Sequence, residues 1–220
     1  GERYRRWVES NDLEKRQQLF ASLKRFRKAN AFHSILVLDE QAELLWSSER
    51  SAEKSAATGT AARVTAPPQT VDPTLRAAAR YVMATHQSTH LSPYRNAAGQ
   101  LNLDFLSYLP AAPGHTGFVI VLRADPTHYL YPTLQTWPVP STSGETLLFR
   151  RDGEQVLFLN ELRHRLDSAA KFRAPIATKK LLAARVLRGE VEQGSLIEGV
   201  DYRAVPALGV VRAVPGTDWF

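Results

Sequence analysis

The order of predicted secondary structure repeats within the 220-residue chain, and this repeat limits the possible folds most strongly. Strand-like segments at 34–38 and 44–46 flank a polar turn at 39–41, and a helix that Asp72-Pro73 opens follows. Three further strand-like segments, around 89–95, 101–109 and 117–124, complete the first set. After residue 137 a second hairpin bends at Asp152-Gly153, a helix spans about 178–188, and two more strands follow. The repeat predicts two modules of about 100 residues each.

The segment from Glu2 to Asn30 contains neither glycine nor proline, and its apolar residues recur every three or four positions. This spacing predicts an amphipathic helix of about 28 residues, roughly 42 Å long. One alternative is a core helix. The other is a stalk or dimer seam, because one module cannot bury so long a stripe. We therefore predict a parallel homodimer through Tyr4, Trp7, Leu19, Leu23 and Phe26.

The predicted fold class is α+β, with antiparallel sheets and helical cover in both modules. Residues 1–31 form the N-terminal helix, residues 32–125 the first module, and residues 126–220 a linking helix and the second module. The linking helix is predicted around 128–137, where proline ends or kinks it. Residues 49–72, rich in alanine, serine, threonine and proline, are predicted to form a loop.

The positive charge of the chain is concentrated in one place. The net charge is +6, and residues 1–28 hold nine Lys or Arg against four Asp or Glu, a difference of +5. A basic helix that binds nucleic acid or an anionic membrane surface is therefore an alternative function. A protein that binds a phosphate backbone usually spreads its basic residues over a folded face, so we favour a solvated or membrane-adjacent helix and expect no nucleic-acid partner.

The residue patterns that support catalysis are missing from the sequence. There is no cysteine, no Gly-x-Ser-x-Gly turn and no phosphate-binding glycine loop. His86 and His90 have a spacing that could share a metal, but a third ligand is missing. No run approaches the 18 or so apolar residues of a membrane span. We therefore predict no catalytic residue, metal or cofactor in this chain.

Polar residues on the third and fourth predicted strands of the first module are the candidate ligand-binding residues. Arginine and tyrosine side chains there would suit a small carboxylate, through bidentate and hydroxyl hydrogen bonds. The alternative is that they are ordinary polar residues at strand ends. The candidates are Tyr94, Arg95, Asp104, Ser107 and Tyr108.

The second module resembles a known family in its motifs. The segments 143–153, 156–164, 198–203 and 213–219 are similar to the membrane-proximal half of double Cache sensor domains, which are tandem PAS-like modules. The resemblance implies an extracytoplasmic, periplasmic sensor for an unidentified small molecule. Such domains sit between two membrane spans of histidine kinases and diguanylate cyclases, so any enzyme activity would belong to the full-length protein.

The polar clusters of these matched motifs have a structural interpretation. We predict a network between arginines and carboxylates that joins the second hairpin to the terminal strands. Its members are Asn160, Glu161, Arg163, Asp201, Tyr202 and Arg203.

Overall fold

The computed structural model describes residues 13–49, 71–110, 117–135, 141 and 143–220. The chain divides into two compact units. The first contains the described residues up to Ser92 together with Asn102–Asp125. The second contains Pro93–Leu101 and Pro126–Phe220. The boundaries predicted from the sequence, at 31/32 and 125/126, stay predictions.

One five-stranded sheet has the order β2-β1-β5-β4-β3, and its residues belong to the first unit apart from Pro93–Arg95 of β3 and Leu101 of β4. The pairings of β1 with β2, of β1 with β5 and of β4 with β5 are antiparallel. The elements are α1 (Leu13–Ala29), β1 (Ser34–Leu38), β2 (Leu44–Ser47), α2 (Pro73–Thr85), β3 (Thr89–Arg95), β4 (Leu101–Leu109) and β5 (Phe118–Ala124).

Helix α2 begins and ends where its sequence signals lie. The side chain of Asp72 accepts a hydrogen bond from the backbone N–H of Thr74 at 2.9 Å, and Pro73 opens the first turn. His86 adopts the left-handed conformation that ends the helix. The buried face of α2 packs against one face of the sheet, in a core that includes Leu36, Leu38, Leu75, Ala79, Val82, Leu106, Val119 and Val121.

The opposite face of this sheet carries the alternate strand residues. Ile35 and Val37 of β1 are buried there, which explains why residues 35–38 of β1 are all apolar instead of alternating. Phe20 of α1 stacks on Trp46 of β2, with ring centroids 4.5 Å apart. Helix α1 therefore contributes apolar contacts at the β2 edge of the sheet.

In the second unit the antiparallel strands form two small sheets, β6-β7-β8 and β9-β10. Backbone hydrogen bonds between Phe149 and Phe220, at 3.0 and 2.9 Å, join the end of the chain to β6. The elements are α3 (Leu130–Gln135), β6 (Phe149–Asp152), β7 (Gln155–Phe158), β8 (Arg173–Pro175), α4 (Leu182–Leu187), β9 (Leu196–Val200) and β10 (Pro206–Val210).

Aromatic rings form much of the second core. Phe158 packs on Phe172, with ring centroids 5.4 Å apart, and Phe149 packs on Phe220 at 6.0 Å. The Tyr202 ring meets Phe158 edge-on at 6.1 Å. Offset and edge-on geometries of this kind stabilise a core beyond the area that the rings bury.

The α+β fold class with antiparallel sheets and helical cover is confirmed, and the differences concern the lengths of elements. The helix predicted at 178–188 begins only at Leu182, because the Arg188 guanidinium donates to the carbonyl oxygens of Ile176, Thr178 and Lys179 and holds that segment as turns. The linking helix predicted at 128–137 is the six-residue α3. Strand β8 has only three residues, too few to show a periodic pattern.

Two glycines of the β9-β10 hairpin provide a matched test of its packing against α4. A Cβ at Gly199 would lie 2.6 Å from Leu182 Cδ2 and 2.6 Å from the Lys180 carbonyl oxygen, whereas a Cβ at Gly209 would lie 3.5 Å from Leu182 Cδ1. We expect Gly199→Ala to lower the free energy of unfolding by about 1–3 kcal/mol, a typical cost of overpacking.

Urea denaturation measures this effect, with Gly209→Ala as the control because its Cβ meets only ordinary contacts. Equal stabilities for the two variants would show that the hairpin does not pack tightly on α4.

Candidate ligand-binding site

A row of polar side chains crosses three strands of the first sheet. Ser34 of β1 pairs with Arg123 of β5, and Arg123 pairs with Asp104 of β4. Residues directly opposite on adjacent strands project to the same face, so all three share one face. Ser34 and Asp104 are fully buried, and the Arg123 side chain is 15% exposed.

This polar row lies beside the apolar core of the first unit. The next residues on this face, two positions from Ser34, Arg123 and Asp104, belong to the core packed against α2. They are Leu36, Val121 and Leu106 respectively. The same face of the sheet therefore changes from apolar to polar within one step of the strand repeat.

The charges within the row are paired. Arg123 Nε donates to Asp104 Oδ1 and Arg123 Nη2 donates to Asp104 Oδ2, both at 2.8 Å. A bidentate guanidinium–carboxylate pair is short and strong, and it fixes the planes of both groups. Without Arg123, the fully buried carboxylate would be costly.

Two polar atoms beside this ion pair have no hydrogen-bond partner in the described structure. They are Oγ of Ser34 and Nδ2 of Asn102. Asn102 precedes Asp104 by two residues on β4, so it faces the same side of the sheet, and it is 2% exposed. Buried amide and hydroxyl groups are almost always hydrogen-bonded, so both atoms require an explanation. We call Ser34, Asn102, Asp104 and Arg123 the polar row.

Two of the predicted ligand-binding residues, Asp104 and Tyr108, share this face. The Tyr108 ring stacks on His86 with centroids 3.8 Å apart, and a Cβ at Gly117 would meet this ring at 2.4 Å. Tyr108 lies four positions from Asp104 along β4, a distance of about 13 Å at 3.3 Å per residue. A small ligand held by Asp104 would thus be remote from Tyr108.

Ser107 lies on the opposite face of the sheet, at an open cavity of about 370 Å³. Its Oγ is 2.9 Å from Ser88 Oγ. The other residues that line the cavity are Thr89, His90, Phe105, Leu106, Ile120 and Leu122. Ser107 therefore cannot act together with Asp104 on one small ligand.

Tyr94 and Arg95 belong to the second unit, within Pro93–Leu101. Arg95 Nη2 is 2.8 Å from Asp167 Oδ1, and Arg95 Nε donates to the Ala169 carbonyl oxygen at 3.0 Å. A hydrogen bond from Lys171, together with the charges of Arg95 and Lys171, lowers the pKa of Asp167. The structure thus gives Arg95 protein partners and does not bring it together with Asp104 in one unit.

The polar clusters of the second unit hold backbone in place. The side chain of Asn160 accepts from Leu148 N at 2.7 Å and donates to Thr146 O at 3.0 Å. The Glu161 carboxylate accepts from the backbone N–H groups of Ser168 and Ala169, and Arg163 Nη1 donates to Gly144 O at 2.6 Å. These bonds fix loops, which is a structural role.

Asp201 and Tyr202 form a second part of this network. Burial alone would raise the pKa of Asp201, but hydrogen bonds from Arg203 and from the Val205 N–H lower it overall. Burial raises the pKa of Tyr202 to about 12, although its hydroxyl also accepts a hydrogen bond from His164 N. Tyr202 therefore remains a neutral phenol throughout the physiological range.

Among the residues of the predicted dimer seam, Leu19 and Leu23 of α1 are half-buried. Phe26 is 45% exposed and stacks on Phe32, with ring centroids 6.0 Å apart. Tyr4 and Trp7 lie outside the described residues. The described helix thus leaves part of its apolar stripe open to solvent.

Sequence reasoning missed three of the four residues of the polar row, namely Ser34, Asn102 and Arg123. Ser34 and Arg123 each occupy a core-facing position of a strand whose other positions on that face are apolar, and Asn102 shares its face of β4 with the core residue Leu106. A polar residue at such a position is the available signal. It becomes interpretable only once the register of β1, β5 and β4 is known.

The described part of the chain contains neither a candidate metal site nor a candidate membrane-spanning helix. No group of three or more histidine, cysteine, aspartate or glutamate side chains there could hold a metal ion. No helix among these residues has the length and apolar character that crossing a bilayer requires.

The α+β fold of the chain matches the Cache/PAS-like fold. The ligand-binding domain of the Pseudomonas fluorescens chemoreceptor CtaA, solved in complex with L-serine, aligns with a TM-score of 0.54 and 15% identity. The alignment covers 99% of this chain and 82% of that domain. At this identity the likeness establishes the fold alone.

Two further solved structures align less well. An extracellular ligand-binding receptor from Desulfohalobium retbaense aligns with a TM-score of 0.45 and 14% identity. That alignment covers 86% of this chain and 29% of the receptor chain. The sensor domain of the V. cholerae histidine kinase DctB aligns with a TM-score of 0.40 and 11% identity. That alignment covers 74% of this chain and 75% of the DctB domain. Both scores fall below 0.5, so the fold assignment depends on the chemoreceptor domain. No protein-family model and no curated protein sequence matches the chain.

The buried ion pair predicts an asymmetric response to mutation. We expect Asp104→Asn to lower the free energy of unfolding by about 3–5 kcal/mol, because it leaves the Arg123 guanidinium without its counter-charge in a largely buried position. The double variant Asp104→Leu/Arg123→Met should recover most of this loss, since it removes both charges. Urea denaturation measures both effects.

The matched control is Glu43→Gln, which breaks the more exposed ion pair with Arg76 and should cost less than about 1 kcal/mol. If Asp104→Asn is as mild as Glu43→Gln, the pair is not desolvated in the folded protein.

Proposed function

We propose that this chain is the extracytoplasmic, periplasmic sensing domain of a transmembrane signal-transduction receptor, and that its first unit binds a small molecule at the polar row. One observation carries the proposal: Ser34 Oγ and Asn102 Nδ2 lack partners beside a buried ion pair. Ion pair, amide and hydroxyl converge on one face of the sheet, which is the usual composition of a specific small-molecule site.

The energetics favour a ligand over a purely structural role. A buried donor or acceptor without a partner costs about 1–3 kcal/mol, and the polar row contains two such atoms. A bound molecule that supplies an acceptor to Asn102 or a partner to Ser34 would recover that cost. Local instability of this kind is common at binding sites.

The shared fold supports this proposal. The CtaA domain, whose fold the chain shares, was solved with L-serine bound, so this architecture can hold a small polar molecule. The polar row provides a carboxylate, a guanidinium, an amide and a hydroxyl for such a ligand. We propose that the chain itself performs no catalysis, and that a full-length histidine kinase or diguanylate cyclase carries the output activity.

Ligand binding to the native state raises stability by mass action, which provides the test. A ligand at 100 times its Kd stabilises by about 2.7 kcal/mol, which is about 5–11 °C in Tm for a domain of this size. We expect thermal-shift screening of amino acids, small carboxylates and amines to find such a compound. Asn102→Ala should decrease the shift to about half while changing the Tm of the protein without ligand little, because it also removes an unsatisfied amide.

Ser107→Ala is the control, because Ser107 lies on the other face of the sheet. It should leave the ligand-induced shift intact. If Ser107→Ala decreases the shift and Asn102→Ala does not, the ligand site is the open cavity and the polar row is structural.

We further propose that two chains associate in parallel through their N-terminal helices, with flanking membrane spans raising the effective concentration of the helices. The exposed Phe26 ring and the half-buried Leu19 and Leu23 support this seam. Phe26→Glu should decrease the dimer fraction measured by analytical ultracentrifugation, because it introduces a like charge at the seam of both chains.

Tyr81→Glu is the matched control, since Tyr81 of α2 is 49% exposed and lies on a helix outside the predicted seam. Circular dichroism establishes that both variants remain folded. Equal dimer fractions for the two variants, or a wild-type chain that stays monomeric at every concentration, would contradict the helix seam.

A further inference from the structure

The charges around the polar row limit the kind of molecule that it can bind. Resting on the function proposed above, we propose that the ligand carries no net charge, being neutral or zwitterionic, and that it presents a hydrogen-bond acceptor to Asn102 Nδ2. The chemistry follows from which groups of the row are already paired and which are not.

The two charged groups of the row neutralise each other. Two N–H groups of Arg123 bind the two oxygens of Asp104 at 2.8 Å each. A ligand carboxylate would have to compete with Asp104 for the guanidinium, and a ligand ammonium would come close to Arg123. A net charge added to this face would therefore be buried without a counter-charge of its own.

Helix α2, which covers the apolar part of this face, supplies no spare counter-charge. The buried side chains of α2 are the apolar Leu75, Ala79 and Val82. Arg76 of the same helix is paired with Glu43 at 2.5 Å, and Arg80 is exposed.

Titratable residues also lie beside the ends of β1 and β5. His33, which precedes Ser34, lies 3.2 Å from Glu49, and both side chains are partly exposed. Asp125, two residues beyond Arg123, is partly exposed, and its negative charge disfavours an anion nearby. The groups beside the row thus disfavour a dianion.

The unpaired atoms define what the ligand must offer. An amide nitrogen can only donate, so the atom that meets Asn102 Nδ2 must be an acceptor, such as a carbonyl, carboxylate or hydroxyl oxygen. The Ser34 hydroxyl can donate or accept and therefore tolerates either partner. A zwitterion meets these conditions if its opposite charges meet Arg123 and Asp104 respectively, since each charge is then compensated within the row.

Four compounds with a four-carbon chain separate charge from size. Succinate, succinamide, 4-aminobutyrate and putrescine are a dianion, a neutral diamide, a zwitterion and a dication. We would measure thermal shifts with this set and its three- to six-carbon homologues, and then determine Kd by calorimetry at 0.05 and 0.5 M NaCl. We expect only neutral or zwitterionic members to bind, with Kd changing less than about twofold with salt, because screening acts mainly on net charge.

Two variants link the binding to the row. Asn102→Ala and Ser34→Ala should each weaken the affinity of the bound compound about tenfold, while Ser107→Ala should leave it unchanged.

The outcomes separate the two proposals. If a dianion or dication binds and loses affinity in Asn102→Ala, the row is a ligand site but the inference about net charge is wrong. If a compound binds with the same affinity in Asn102→Ala and Ser34→Ala, the row is not the site. If no member of the panel raises the Tm, both the proposed function and this inference are contradicted.

Discussion

The pairing of Asp104 with Arg123 is the interaction on which the first unit depends. Both groups are largely or fully buried, so either one alone would destabilise the fold by several kcal/mol. The pair forms only if β4 and β5 keep their register, because a slip of one residue would turn Asp104 to the opposite face. The register that joins these charges also brings Leu106 and Val121 together beneath α2.

The polar row therefore contains both paired and unpaired buried polar groups. The ion pair is fully matched, whereas Ser34 Oγ on β1 and Asn102 Nδ2 on β4 are unmatched. A purely structural network would be expected to satisfy all of its buried members, as Asn160 and Glu161 do in the second unit. This contrast between the two networks is the physical reason for treating one as scaffold and the other as a binding site.

The sequence predicts those parts of the fold that local chemistry determines. Strands β1, β3, β4 and β5 and the start of helix α2 lie within about a residue of their predicted positions, because their ends carry caps, turns and changes of periodicity. Helix α4 is shorter than predicted because Arg188 reaches back to three carbonyl groups, a contact that no local pattern encodes. The pairing of Phe220 with Phe149 of β6 is likewise a long-range contact.

Most individual residues of the candidate site are likewise not predicted by local sequence patterns. Arg95 and Arg123 both lie at or near the end of a strand of the first sheet, and residue type alone favours neither. Arg95 binds Asp167 and Ala169 in the second unit, whereas Arg123 binds Asp104 in the first. The difference arises from the residue opposite each arginine, which a single sequence does not specify. A polar residue at a core-facing strand position is therefore the more informative signal, since its burial requires a partner that must come from another strand, from water or from a ligand.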